Sequence, residues 1–150
     1  MDKELRCAMV YELTHLSEHK ARLEQLKLDL VDKNNRESAS SPPDGSRSSL
    51  PGDPTCREAI REVSIEEQIQ DLVVRIKRVE IALDALSTWQ RRIIDLRYID
   101  KACYSNEEVV DILKVSRRCY YNNRNKALDR LTSMVGPRNL EKWSAGRKVH

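Results

Sequence analysis

The sequence predicts an all-α protein, with an N-terminal long helical hairpin or coiled coil followed by a C-terminal helix-turn-helix domain. Three observations carry this. Apolar residues recur at spacings of three and four over two long stretches. A Ser followed three residues later by Glu or Gln stands ahead of three apolar-periodic runs, at Ser64, Ser87 and Ser105. Composition agrees: 34% charged and 5% aromatic, with no Phe and four Gly, suits surface-rich helices that bury narrow stripes better than one large core.

Residues 3–31, within an N-terminal segment 1–31, place Leu5, Met9, Leu13, Leu16, Leu23, Leu26 and Leu30 on one helical stripe, interrupted by Lys20 and Lys27. From 32 to 57 the chain turns to Ser, Pro, Gly and Asp, the composition of a partly disordered linker. Its end, Leu50 to Thr55, sets two prolines around a Gly-Asp turn and reads as an ordered stop. A second long helix, within 58–86, starts at the Ser64/Glu67 capping box and repeats Ile65, Ile69, Leu72, Ile76, Val79, Leu83 and Leu86 at alternating spacings of four and three. So regular a heptad seam requires a partner, either the first helix folded back or a second chain; Ile65, Ile69, Leu72, Ile76, Val79 and Leu83 are the expected oligomerisation residues.

Residues 87–136 form the C-terminal domain. Ser87 caps a short helix that buries Trp89, Ile93, Ile94 and Leu96. Ser105 and Glu108 box the next, whose Val109, Ile112 and Leu113 face inward. Lys114 and Val115 make the turn, Ser116 caps the final helix, and Gly136-Pro137 ends it near Val135. The stretch 137–150 reads as a basic tail with Trp143 as its one apolar anchor.

Charge is unevenly placed. Residues 1–87 hold 13 Lys/Arg against 17 Asp/Glu, a net of −4; residues 88–135 hold 10 against 6, a net of +4; residues 136–150 hold 4 against 1, a net of +3. A basic C-terminal end can neutralise phosphates. At about 100° per residue, Tyr120, Ala127, Leu131 and Met134 share the core side of the final helix, and Arg118, Tyr121, Asn122, Asn125 and Asp129 the opposite side, with Arg117 in the first turn. Arg reads guanine bidentately, Asn reads adenine, and Tyr meets a thymine methyl or a phosphate. The predicted base contacts are therefore Arg117, Arg118, Tyr121, Asn122 and Asn125. Arg91, Arg92, Arg97, Lys114, Ser116, Arg124 and Lys126 are the predicted contacts to a nucleic-acid backbone, Ser116 through the free amides of the helix start.

The run "LSTWQRRIIDLRYIDKACYSNEEVVDILKVSRRCYYNNRNKALDRL" resembles sigma-factor region four, through Arg91 or Arg92 to Tyr98, Val115 to Arg117, and Lys126 to Leu131. It is more closely similar to the phage RinA/ArpU family of late-gene transcriptional regulators, which set an N-terminal helix, a Ser/Pro linker and a second helix ahead of that part. The resemblance implies that Arg117, Arg118, Tyr121 and Asn122 lie where region four meets its promoter. It also implies activation of packaging and lysis genes, with promoter or operator DNA and host RNA polymerase as partners. Tyr120-Tyr121 and Asn123 stand where region four usually has aliphatic, basic and aliphatic residues.

The expectation is thus a DNA-binding transcriptional regulator, homodimeric and cytoplasmic in a bacterial cell. Two other readings stay open. A small-terminase-like packaging subunit would form a large ring; an interaction protein using only its coiled coil would bind DNA weakly and without salt dependence. No enzyme, cofactor or metal is expected: the sequence has no Gly-rich phosphate loop and no Ser/His/Asp or Cys/His set near a turn. His15 and His19, one turn apart, read as surface histidines, and Cys7, Cys56, Cys103 and Cys119 as reduced thiols. No apolar run approaches the roughly 20 residues that span a bilayer.

Overall fold

The computed structural model describes residues 3–39 and 64–149, and among these every regular element is helical. In chain order they are α1 (Lys3–Thr14), α2 (Leu16–Ala39), α3 (Ile65–Asp84), α4 (Thr88–Ile94) running into a π-helical turn (Asp95–Ile99), α5 (Asn106–Leu113), α6 (Arg117–Val135) and α7 (Pro137–Val149). The expected linker from residue 40 onward, the Pro-flanked stop and residues 58–63 of the second long helix lie outside the described residues. No described helix is long and apolar enough to cross a membrane. The chain divides into two units, one of residues 1–18 with 75–150 and one of residues 19–74.

In the unit of residues 19–74, Leu26 is buried on α2 and Leu23 and Leu30 half-buried. The uninterrupted helix expected over 3–31 is corrected at both ends of α2. It begins after a break at His15, where the Tyr11 carbonyl lies within hydrogen-bond distance of the His15 amide (3.0 Å), Thr14 Oγ1 (3.1 Å) and His15 Nδ1 (2.9 Å). Such side-chain competition for a backbone acceptor loosens a helix. The His15 ring also stacks on Tyr11 at 3.8 Å. At its far end α2 runs through Ala39, past the expected linker start at 32, because no Gly or Pro interrupts it and Asp32 pairs with Arg36 one turn on, at 2.8 Å.

Residues 65–74 of α3 belong to the unit of residues 19–74, and residues 75–84 to the other unit, which carries the larger core. The amide of Glu67 donates to Ser64 Oγ (3.2 Å), so α3 starts at the expected cap. Along the heptad seam Ile65, Ile69 and Leu72 are half-buried, whereas Ile76, Val79, Leu83 and Leu86 are buried within the single chain. Of the expected oligomerisation residues, Ile76, Val79 and Leu83 thus pack within the chain, and Ile65, Ile69 and Leu72 keep partly open faces. Near the middle of α1, Ala8, Met9, Glu12 and Leu13 are buried, and α1 packs on both α6 and α7. Glu12, 1% exposed, accepts a bidentate pair from Arg75 on α3 (Nε to Oε1 2.6 Å, Nη2 to Oε2 2.5 Å). The Arg75 guanidinium also covers the Trp143 ring of α7 at 5.0 Å, so one side chain joins three helices.

Of the expected tail, Pro137–Val149 is helical. Gly136, at φ +100°, stops α6, and a Cβ there would meet Asn139 Nδ2 at 3.3 Å. Pro137 then occupies the first helical position, where its missing N–H costs nothing. Asn139 Nδ2 donates back to the Val135 carbonyl at 2.8 Å. Leu140 is fully buried, so Trp143 is not the only anchor.

Candidate nucleic-acid interface

The start of each helix around the candidate surface is set by a Ser. Ser87 Oγ accepts from the Gln90 amide (3.2 Å), Ser105 and Glu108 exchange both bonds of a capping box, and Ser116 Oγ accepts from the Cys119 amide (3.1 Å). Between α5 and α6 Lys114 adopts the left-handed conformation (φ 56°, ψ 48°), and the Val115 amide returns to the Val110 carbonyl. A non-Gly residue is strained there. Lys114→Gly should therefore raise stability by about 1 kcal/mol, read as a higher urea midpoint; an unchanged or lower midpoint would show the turn to be unstrained.

Behind the turn, Ile93, Val109 and Tyr120 are fully buried, with Trp89, Leu96, Tyr104, Val110, Leu113 and Val115 packed on them. Tyr98, on the π turn closed by the Asp100 amide on the Asp95 carbonyl (2.7 Å), joins the buried residues one turn beyond Ile94. Trp89 and Leu96 are half-buried where full burial was expected. Two expected core residues are out: Ile112 is 40% and Met134 46% exposed. The last turns of α6 are buried at Leu128, Thr132 and Val135 instead.

The expected base contacts divide into two kinds. Arg118 and Asn122 are exposed and have no side-chain partner among the described residues. Arg117 is exposed, with Nη2 3.7 Å from Glu107 Oε1, a surface pair too solvated to hold it firmly. Tyr121 is exposed at its rim, edge-on to Tyr120 (5.0 Å, 73°) and covered by the Arg124 guanidinium (5.0 Å). Asn125 is half-buried and accepts from Arg124 Nη2 at 3.1 Å.

The expected backbone contacts also divide. Lys114, Ser116 and Lys126 are exposed on or beside α6, and Arg92 is exposed on α4. Three others have partners within the chain. Arg91 is held by Asp95 (3.0 Å) and Asp84 (3.1 Å), so its charge is neutralised within the chain. Arg97 is half-buried, with Nε on Asn106 Oδ1 (2.9 Å) and its guanidinium over Tyr98. Arg124 is half-buried, with Nη1 3.4 Å from the same Asn106 oxygen. Asp129, the single acid of α6, is held by both Nε and Nη2 of Arg6 from α1 (2.8 and 3.0 Å), which removes an anion from the face.

The chain was compared with protein-family models, curated proteins and solved structures, and matches none of them. What the surface can do rests on its own chemistry: a capped helix whose exposed side offers Arg118, Tyr121, Asn122, Lys126 and also Arg130. Arg130 and Asn106 lie outside the residues expected from the sequence. Arg130 was legible as a cation one turn beyond Lys126. Asn106 carried no signal, because its partners lie nine, fourteen and eighteen positions away. Burial raises the pKa of both Tyr98 and Tyr120, an effect that the nearby Arg97 and Arg124 partly oppose; both phenols stay neutral at physiological pH.

Proposed function

We propose that the protein is a sequence-specific DNA-binding transcriptional regulator, of the phage late-gene kind its C-terminal half resembles. In this reading α5, the Lys114 turn and α6 act as a helix-turn-helix, with α6 laid in the major groove. Arg117, Arg118, Tyr121, Asn122 and Asn125 read base edges, while Arg92, Lys114, Ser116 and Lys126 meet phosphates. The observation that carries the reading is the division of α6 into two sides. Tyr120, Ala127 and Leu131 are fully buried on one side, and Arg118, Asn122 and Lys126 stand exposed on the other, without side-chain partners among the described residues. Exposed surface helices ordinarily pair their cations with acids one turn away; here the one acid of α6 is engaged by Arg6. Pairing through a helical hairpin into a homodimer belongs to the same proposal. It would set two α6 helices on half-sites about 34 Å apart, or a multiple of that.

The test is duplex binding by the full chain across a salt series, followed by site selection from random DNA. Three or four phosphate contacts require log affinity to fall against log salt with a slope of about −3 to −4. Arg118→Ala should relax preference at one base pair by about 1–3 kcal/mol and leave the others in place. Binding that ignores salt, or a selection that recovers no shared motif, would sink the proposal.

A further inference from the structure

We propose that Asn106 and Arg124 are positioning residues: they fix Tyr121 and Asn125 in one arrangement, so that discrimination by these two depends on Asn106 while Arg118 and Asn122 act independently. The inference rests on the DNA-binding reading for its consequence, though not for its geometry.

Asn106 is the first residue of α5, directly after the Ser105 cap. The cap itself uses Ser105 and Glu108, which leaves the Asn106 side chain for other work. Its Oδ1 takes Tyr120 Oη–H (2.5 Å), Arg97 Nε–H (2.9 Å) and Arg124 Nη1–H (3.4 Å). Both guanidinium partners can only donate, so the amide oxygen, not the nitrogen, must face the cluster. Neither Arg97 nor Arg124 has a carboxylate partner among the described residues, so two like charges share one neutral acceptor. Arg124 Nε is buried without a partner among the described residues. An orphaned donor and an uncompensated pair of cations both cost free energy, and an apolar contact would pack this spot more cheaply.

What this arrangement secures is the side of α6 next to Tyr121. Arg124, anchored on Asn106, covers the Tyr121 ring and donates to Asn125 Oδ1. Tyr120, anchored on the same oxygen, meets the Tyr121 ring edge-on. Both neighbours of Tyr121 are thereby tied to a single atom on another helix. Arg118 and Asn122 have no such tie. Arg124 thus serves as a strut under the contact side chains, a different role from free phosphate binding.

The experiment uses the full chain with 13C-labelled tyrosine, and site selection on random duplex DNA. In the free protein, Asn106→Ala should shift and broaden the Tyr121 ring resonances, and Asn106→Asp, which keeps the acceptor, should restore them. On DNA, Asn106→Ala should lose about two- to tenfold preference at the base positions that Tyr121→Ala also loses. The double variant should lose no more, and the Arg118-dependent position should be unchanged. If Asn106→Ala does not fold, Arg124→Met removes the guanidinium and is read in the same way. An unmoved Tyr121 spectrum, additive losses, or an equal loss at every base position would overturn the proposal. Should the unaltered chain bind DNA without salt dependence, the functional reading falls alone, and the ring spectrum still decides whether the strut exists.

Discussion

Replacing Arg75 with Met should lower the unfolding free energy of the chain by about 3–5 kcal/mol, the range for breaking one side of a buried ion pair. Glu12 is 1% and the Arg75 side chain 20% exposed, and two parallel N–H···O bonds join them. Without the guanidinium, both carboxylate oxygens lose their charged donor inside a core too dry to replace it cheaply. The Trp143 ring loses its cation in the same step. The pair itself is not the source of stability, because desolvation offsets most of its attraction. Glu12→Leu with Arg75→Met should therefore recover most of the loss. Urea denaturation of the two variants checks both statements. A single-variant loss below about 1 kcal/mol would mean that water reaches Glu12.

The contrast between this pair and the helix caps shows what the sequence carried and why. Ser64, Ser87, Ser105 and Ser116 act over three residues, so their chemistry is written in adjacent letters, and each stands where its helix begins. Gly136 is legible for the same reason. Glu12 and Arg75 are 63 positions apart, and Arg6 and Asp129 are 123 apart. Neither periodicity nor composition relates residues so distant, and both pairs appear in the sequence as ordinary charges on amphipathic helices.

Errors of face have a different origin. An ideal wheel puts Ala127 and Met134 together, yet Ala127 is buried and Met134 is half out, because the neighbours that cover α6 change along its length. Tyr120, early in α6, packs with Ile93 of α4 and Val109 of α5, whereas Asp129, further along, is held by Arg6 of α1. A wheel drawn on one helix cannot know this. The candidate site suffers the same limit. Sequence placed Arg97 and Arg124 among the phosphate contacts from their charge alone, and packing turned both toward Asn106.

A fragment of residues 87–136, the domain that the sequence itself delimits, should fail to fold. Its recognition surface is continuous in sequence, but the core beneath it is not. Met9, Leu13 and Leu140 are each at most 1% exposed and lie outside those limits, and α1 and α7 pack against α6. Losing a buried Leu or Met costs about 2–5 kcal/mol apiece. Three such losses together are comparable with the roughly 5–15 kcal/mol that holds a small domain together. The fragment should show no cooperative melting, and its DNA binding should be the weak, sequence-blind attraction of a basic peptide. By contrast, a chain that keeps residues 1–18 and 75–150, with a long Gly/Ser linker in place of 19–74, retains that whole core and should melt cooperatively. Cooperative unfolding of the 87–136 fragment would show that α1 and α7 are accessories. Its absence, with folding restored by the two joined segments, would make the N-terminal helix part of the recognition module and would explain why Arg6 reaches Asp129 at all.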